Sequence, residues 1–144
     1  LPFCKIKLHA TRPKSAAYPK EIKTLGDHLR KKRLDLGLLQ EQVAAQIGVD
    51  EATIWNWENN ITATAIRLIP RITHFLTYDP FPVAESLAEK LKTARRRLGI
   101  SQKKLAEELG ADPASVRDWE RGRHKPTSKS VGKIEKFLSG VRYD

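Results

Sequence analysis

Two stretches decide the fold: QEQVAAQIGVDEATIWNWE at residues 40–58 and QKKLAEELGADPASVRDWE at residues 102–120. Laid over one another they share Gln40/Gln102, Ala44/Ala106, Gly48/Gly110, Asp50/Asp112, Ala52/Ala114, Trp57/Trp119 and Glu58/Glu120, all at one offset of 62 residues. The register holds without a gap in both directions. Upstream it pairs Leu25/Leu87, Leu29/Leu91, Arg33/Arg95, Leu36/Leu98 and Gly37/Gly99; downstream it pairs Ile72/Ile134, Phe75/Phe137 and Leu76/Leu138. The chain is therefore two copies of one unit. Residues 24–78 and 86–144 are assigned to the units, 1–23 to an N-terminal arm and 79–85 to a proline-rich linker.

Each unit reads as all-α, because no segment alternates apolar and polar residues for long. Thr24 and Ser86 are N-cap residues followed three positions later by Asp27 and Glu89, the capping-box arrangement. Leu25, Leu29 and Leu36, with Leu87, Leu91 and Leu98 in the second copy, are expected to form the apolar stripe of helix 1, which Gly37 and Gly99 end. Helix 2 is expected at Gln40–Ile47 and Gln102–Leu109. Ser101 caps the second copy, whereas Leu39 cannot cap the first, a local loss of about 1 kcal/mol. Asp50 and Asp112 cap helix 3, and Pro113 stands at its first position, where a missing N–H costs nothing.

The turn between helices 2 and 3 needs a residue able to adopt positive φ and a small side chain at the close approach. Gly48 with Ala44, and Gly110 with Ala106, meet both needs. The expected core is Val43, Ile47, Val49, Ile54 and Trp57 in one unit, and Leu105, Leu109, Ala111, Val116 and Trp119 in the other. One or two further helices should end near Leu76 and Leu138.

These features resemble the Cro/phage-repressor-type helix-turn-helix family, also called the XRE family. The resemblance rests on LGLLQ at 36–40, LGISQKKLA at 98–106 and WERGRHKP at 119–126. It implies two tandem lambda-repressor-like five-helix domains after an extended N-terminal arm, with helix 3 of each entering the major groove of double-stranded DNA. It also implies structural ion pairs, Arg33 with Glu58 and Arg95 with Glu120, although surface charges would fit the sequence too. Gln40 and Gln102 fall where the family grips a phosphate at the start of helix 2. Lys103, Arg121, Arg123, His124, Lys125 and Lys129 are the further phosphate candidates. The base-reading positions are Glu51, Ala52, Thr53, Trp55 and Asn56 in the first unit, and Pro113, Ala114, Ser115, Arg117 and Asp118 in the second. Bidentate geometry favours Arg117 for guanine and Asn56 for adenine. The function implied is that of a sequence-specific transcriptional regulator, bacterial or phage, cytoplasmic and associated with the nucleoid.

Charge separates the two copies. The formal net charge is +10, but residues 25–78 hold six basic and six acidic side chains, while residues 87–138 hold fourteen basic and seven acidic. Residues 1–24 add six basic and one acidic. The loop after helix 3 reads RGRHKP at 121–126 in the second copy and NNITAT at 59–64 in the first, which has lost its basic residues. The first copy instead places Trp55 on the outer face of helix 3, beside Glu51. That leaves two roles open for it: base reading, or association through a homodimer or another protein partner, as in an antitoxin-like adaptor in which only the second unit binds DNA. The arm holds Pro2, Pro13 and Pro19. It is expected either to trail into a DNA groove or to remain a solvated tail, and Phe3, Ile6 and Leu8 hint at a short strand. The linker Tyr78-Asp79-Pro80-Phe81-Pro82 is expected to be stiff, with Phe81 packed between the units.

Other function classes find no support in the residues. His9, His28, His74 and His124 are scattered, and Cys4 with His9 supplies too few ligands for zinc, so neither a metal nor a cofactor is expected. There is no phosphate-binding Walker loop and no nucleophile elbow, and an enzyme is not expected. No apolar run approaches membrane-spanning length, and no membrane partner is expected. The single cysteine excludes an internal disulfide and fits a reducing compartment. The absence of methionine predicts that Leu1 is not a translated start.

Overall fold

The computed structural model describes residues 17–141. The strand suggested for the arm, and Cys4 and His9, lie outside these residues. Among the described residues the regular structure is all helical. The first unit comprises α1 (Leu25–Asp35), α2 (Gln40–Ile47), α3 (Glu51–Glu58), a 3-10 turn (Ile66–Leu68) and α4 (Ile69–Leu76). The second comprises α5 (Leu87–Leu98), α6 (Gln102–Leu109), α7 (Pro113–Glu120) and α8 (Ser128–Gly140). Five helical elements are reached in the first unit only by counting the 3-10 turn; in the second, α8 absorbs the corresponding residues and leaves four.

The helix ends follow from local chemistry. Thr24 and Ser86 accept the N–H groups of Asp27 and Glu89, whose carboxylates accept the cap N–H groups in return. These hydrogen bonds hold both carboxyls below the usual range, despite the opposing effect of burial, which is the largest single influence on Asp27. Leu39 offers α2 no side-chain cap; Gln42 Oε1 accepts its N–H at 2.8 Å instead. After α3 the chain turns through a left-handed residue, Gly122 in the second unit and Asn60 at φ 57° in the first. Asn60 compensates by tying the turn to α1: its Oδ1 accepts from Thr24 Oγ1 at 2.7 Å.

Each unit closes its own core. Leu29, Val43, Ile47, Ile54, Trp57, Ile72, Phe75 and Leu76 are buried in one, and Leu91, Leu105, Leu109, Val116 and Ile134 in the other. Val49, Ala111 and Trp119 are half-buried at the core edges. Leu36 and Leu98 depart from the expected stripe and are exposed. They share the azimuth of Leu29 and Leu91, but seven residues carry them about 10 Å farther along the axis, past the end of the bundle.

At Gly26, α1 approaches the end of α3 so closely that an added Cβ would lie 1.9 Å from the Trp57 carbonyl oxygen. Ala88 stands at this position in the second unit, where Trp119 is less deeply buried than Trp57.

Candidate nucleic-acid interface

In both units α2–α3 and α6–α7 form the bent helix pair that the Gly48 and Gly110 turns allow, at φ 81° and 57°. A buried ion pair fixes the second helix of each pair against the first helix of its unit. Arg33 donates from Nε and Nη2 to the two oxygens of Glu58 at 2.6 and 2.7 Å, and Arg95 does the same to Glu120 at 2.6 and 2.9 Å. The Glu58 side chain is 1% exposed and that of Arg33 12%. The remaining guanidinium nitrogen donates to the carbonyl that leads into the next helix, Leu38 or Ile100. Gln40 and Gln102 complete each cluster, donating to Glu58 at 2.9 Å and to Glu120 at 2.8 Å. Their amide groups thus lock the start of α2 and α6 to the end of α3 and α7, a link between residues 18 apart that spacing alone does not reveal.

The outer face of α7 presents Pro113, Ala114 and Arg117 to solvent, with Asp118 half-buried beside them. The Asp118 carboxylate lies 3.9 Å from Arg117 and 3.8 Å from Arg123, so one acid sits between two guanidiniums without hydrogen-bonding either. Ser115 turns aside and lines a small cleft with Trp119 and Lys133. Arg121, Arg123, His124 and Lys125 are all exposed in the following loop, as are Lys103 on the first turn of α6 and Lys129 on α8. The second unit therefore joins the exposed side of α7 to a basic rim that runs from the start of α6 to the start of α8.

The corresponding side of the first unit differs. Glu51, Ala52 and Trp55 are exposed on α3, and Thr53 and Asn56 are half-buried. Trp55, 49% exposed, borders a shallow cleft of about 400 Å³ with Leu39, Glu41, Glu51 and Arg30. Leu39 is 65% exposed. The lining of the cleft is otherwise polar: Arg33, Gln40, Glu58 and Asn59 complete it, so Trp55 and Leu39 are apolar side chains at the edge of a charged cleft. Arg71 is occupied at the end of α2, where it donates to the Ile47 carbonyl.

Two arginines that count toward the second unit's charge act elsewhere. The Arg96 guanidinium stacks 4.0 Å over the Phe81 ring, and Arg97 pairs with Asp79 at 3.0 Å. Burial against the linker lowers the Arg96 pKa, against the pull of Asp79. A segment count of charge does not reveal this, since the partners Asp79 and Phe81 lie in the linker. Among the described residues no cluster of three or more His, Cys, Asp or Glu side chains is placed to hold a metal. No described helix is long and apolar enough to cross a membrane.

Comparison with known proteins agrees with this architecture. The family described as Helix-turn-helix matches twice, at residues 29–81 and 91–143. Among curated proteins, the endothelial differentiation-related factor 1 homolog of Gallus gallus is 31% identical over 83 residues, covering 58% of this chain and 54% of that protein. Endothelial differentiation-related factor 1 of Homo sapiens is 30% identical over the same length and shares. The chain thus spans about half the length of these relatives. No solved structure matches.

Proposed function

Because this chain belongs to the Cro/phage-repressor-type helix-turn-helix family, with two domains in tandem, we propose that it is a sequence-specific transcriptional regulator that reads double-stranded DNA through α7 and α3. The observation that carries this reading is the exposed α7 face framed by Lys103, Arg121, Arg123, Lys125 and Lys129. Phosphates fit that rim, and the cluster of Arg95, Glu120 and Gln102 sets the angle at which α7 would enter the groove. Arg117 is the base reader of choice there, since its fork matches the two acceptors of guanine. In the first unit Ala52, Trp55 and Asn56 meet the bases, with Trp55 against thymine methyl groups and Asn56 on adenine.

The test is selection of bound sites from a random duplex pool, followed by titration across salt. Enrichment of a defined site is expected, with log K falling against log salt by about 0.9 per phosphate contacted. Arg117→Ala should relax preference at one base pair, whereas Arg121→Ala should weaken all duplexes alike and reduce the slope by about 1. A flat salt response, or equal affinity for every duplex, refutes the proposal.

The Trp55 cleft favours a second reading of the first unit, association with a protein partner or a second copy. Tryptophan is enriched among interface anchors, and an exposed one edged by carboxylates is unlike a phosphate-binding surface. Trp55→Ala separates the readings. Loss of affinity for the selected duplex with unchanged mass supports base reading. Loss of association with unchanged DNA affinity per chain supports the partner role.

A further inference from the structure

The two units meet through unlike surfaces. The 3-10 turn and α4 of the first unit pack on α5, the first helix of the second. A Cβ added to Gly99 would lie 3.0 Å from Pro70 and 3.3 Å from the Arg67 backbone, so the chain is in close contact there. Asp79 and Phe81 of the linker clamp the same helix through Arg97 and Arg96.

A two-fold axis between the units would require every such contact twice, with the partners exchanged. The reciprocal contact would bring α8 onto α1, with Gly37 facing Gly132, the positions equivalent to Gly99 and Pro70. Both glycines instead face open space, and α1 and α8 make no comparable packing. The side chains carry the same asymmetry. On α5, Thr93 and Ala94 are buried, whereas their equivalents on α1, Lys31 and Lys32, are half-exposed. On α4, Ile69 is buried, whereas its equivalent Val131 is half-exposed. The contact is heterologous.

B-form DNA relates equivalent docking positions in only two ways. Its screw axis gives repeats in the same orientation, and dyads perpendicular to it give inverted repeats. Resting on the reading that both units enter the major groove, and with the dyad excluded by the contacts above, we propose that one chain reads a direct repeat. The palindrome recognised by a symmetric dimer of single-domain repressors is then the wrong site for it.

Affinity cleavage tests this. The full chain carries Cys4→Ser, which removes its only cysteine, together with either Gln46→Cys or Glu108→Cys. These two positions are equivalent in the repeat, exposed, and outside the proposed contacts. Each variant bears an iron–EDTA tether and is bound to the shortest selected duplex that holds one chain, as counted by native mass spectrometry. The expected result is two cleavage patterns of the same strand polarity, displaced along the axis. Mirror-related patterns overturn the proposal. Cutting from position 108 alone also overturns it, since the first unit is then off the duplex while DNA binding stands. If no duplex is enriched at all, it is the underlying DNA-reading function that fails.

Discussion

Replacing Arg33 with leucine leaves the Glu58 carboxylate, 1% exposed, without its bidentate partner. Among the described residues, the Gln40 amide, 2.9 Å away, remains to donate to it. Two charge-assisted hydrogen bonds are lost, and the Leu38 carbonyl loses a donor. Stranding one member of a buried pair costs about 3–5 kcal/mol. For a unit of this size each kcal/mol lowers the midpoint by about 4–8 °C, so the first unit should melt at least ~12 °C earlier. The double variant Arg33→Leu/Glu58→Leu removes the uncompensated charge along with its partner. It should be less destabilised than Arg33→Leu alone, since a buried ion pair exchanged for apolar side chains is often near neutral.

The assay is urea or thermal unfolding, read together with hydrogen exchange at α1–α3 amides so that the first unit is followed separately from the second. Exchange in α6–α7 should change little, because each unit has its own core, whereas α5 also packs on α4 and should be partly affected. The reasoning is refuted if Arg33→Leu costs under about 1 kcal/mol, the value of a solvated surface pair. Two single-variant costs that simply add in the double variant would also refute it, because contacting charges must couple.

Three further outcomes follow from local geometry. Gly26→Ala should destabilise the first unit by about 1–3 kcal/mol, since the new methyl collides with the Trp57 carbonyl and α1 must move; an unchanged urea midpoint would contradict this. Leu39→Ser should stabilise the unit by up to about 1 kcal/mol by supplying the cap that α2 lacks, which a raised urea midpoint would register. His28 lies 2.8 Å from the Tyr78 hydroxyl, and burial holds its pKa below the ordinary value, with Asp27 opposing and Lys31 assisting. Its contribution to stability is therefore present above the unfolded-state pKa of about 6.5 and is lost as pH falls through the lower folded value. Melting scans from pH 7.5 to 5.5 should show this loss, and His28→Gln should flatten it. The depressed carboxylates Asp27, Asp50 and Glu89 lose their contributions only below about pH 4.5, a separate window.

The sequence made the repeated architecture legible because its determinants are local. Caps, positive-φ turn residues and apolar periodicity act within a few residues, and an internal copy verifies each of them. α2 and α6 consequently span the limits that the caps and glycines imply. What stayed hidden depends on distant partners. The bond from Gln40 to Glu58 needs the fold to bring α2 onto the end of α3. The collision at Gly26 concerns a carbonyl of α3, and nothing near that residue announces it. Leu36 and Leu98 were misplaced because a helical stripe gives an azimuth but not where the neighbouring helices stop. Arg96 and Arg97 add to the formal charge while being held against Phe81 and Asp79.

That last point changes how the net charge of +10 bears on function. Of the second unit's arginines, Arg95 is in the buried cluster and Arg96 and Arg97 hold the linker, so none of the three is available on the α7 side. What remains there is one rim built from α6, the loop and α8, around a helix whose tilt the buried cluster fixes. The first unit retains the same cluster with Arg33, Glu58 and Gln40, so α3 is positioned as firmly as α7. Its outer side nonetheless carries Trp55 and Glu41 where the second unit has Arg117 and Lys103, and Leu39 and Glu51 where it has Ser101 and Pro113. The two copies share the buried Arg–Glu–Gln cluster and part on the outer faces of α3 and α7. Stability therefore accounts for the shared residues and leaves the difference unexplained. On the function proposed above, a helix held this firmly but bearing a different surface has a binding task of its own, and the polarity of cleavage from positions 46 and 108 decides whether that task is a second half-site on the same duplex.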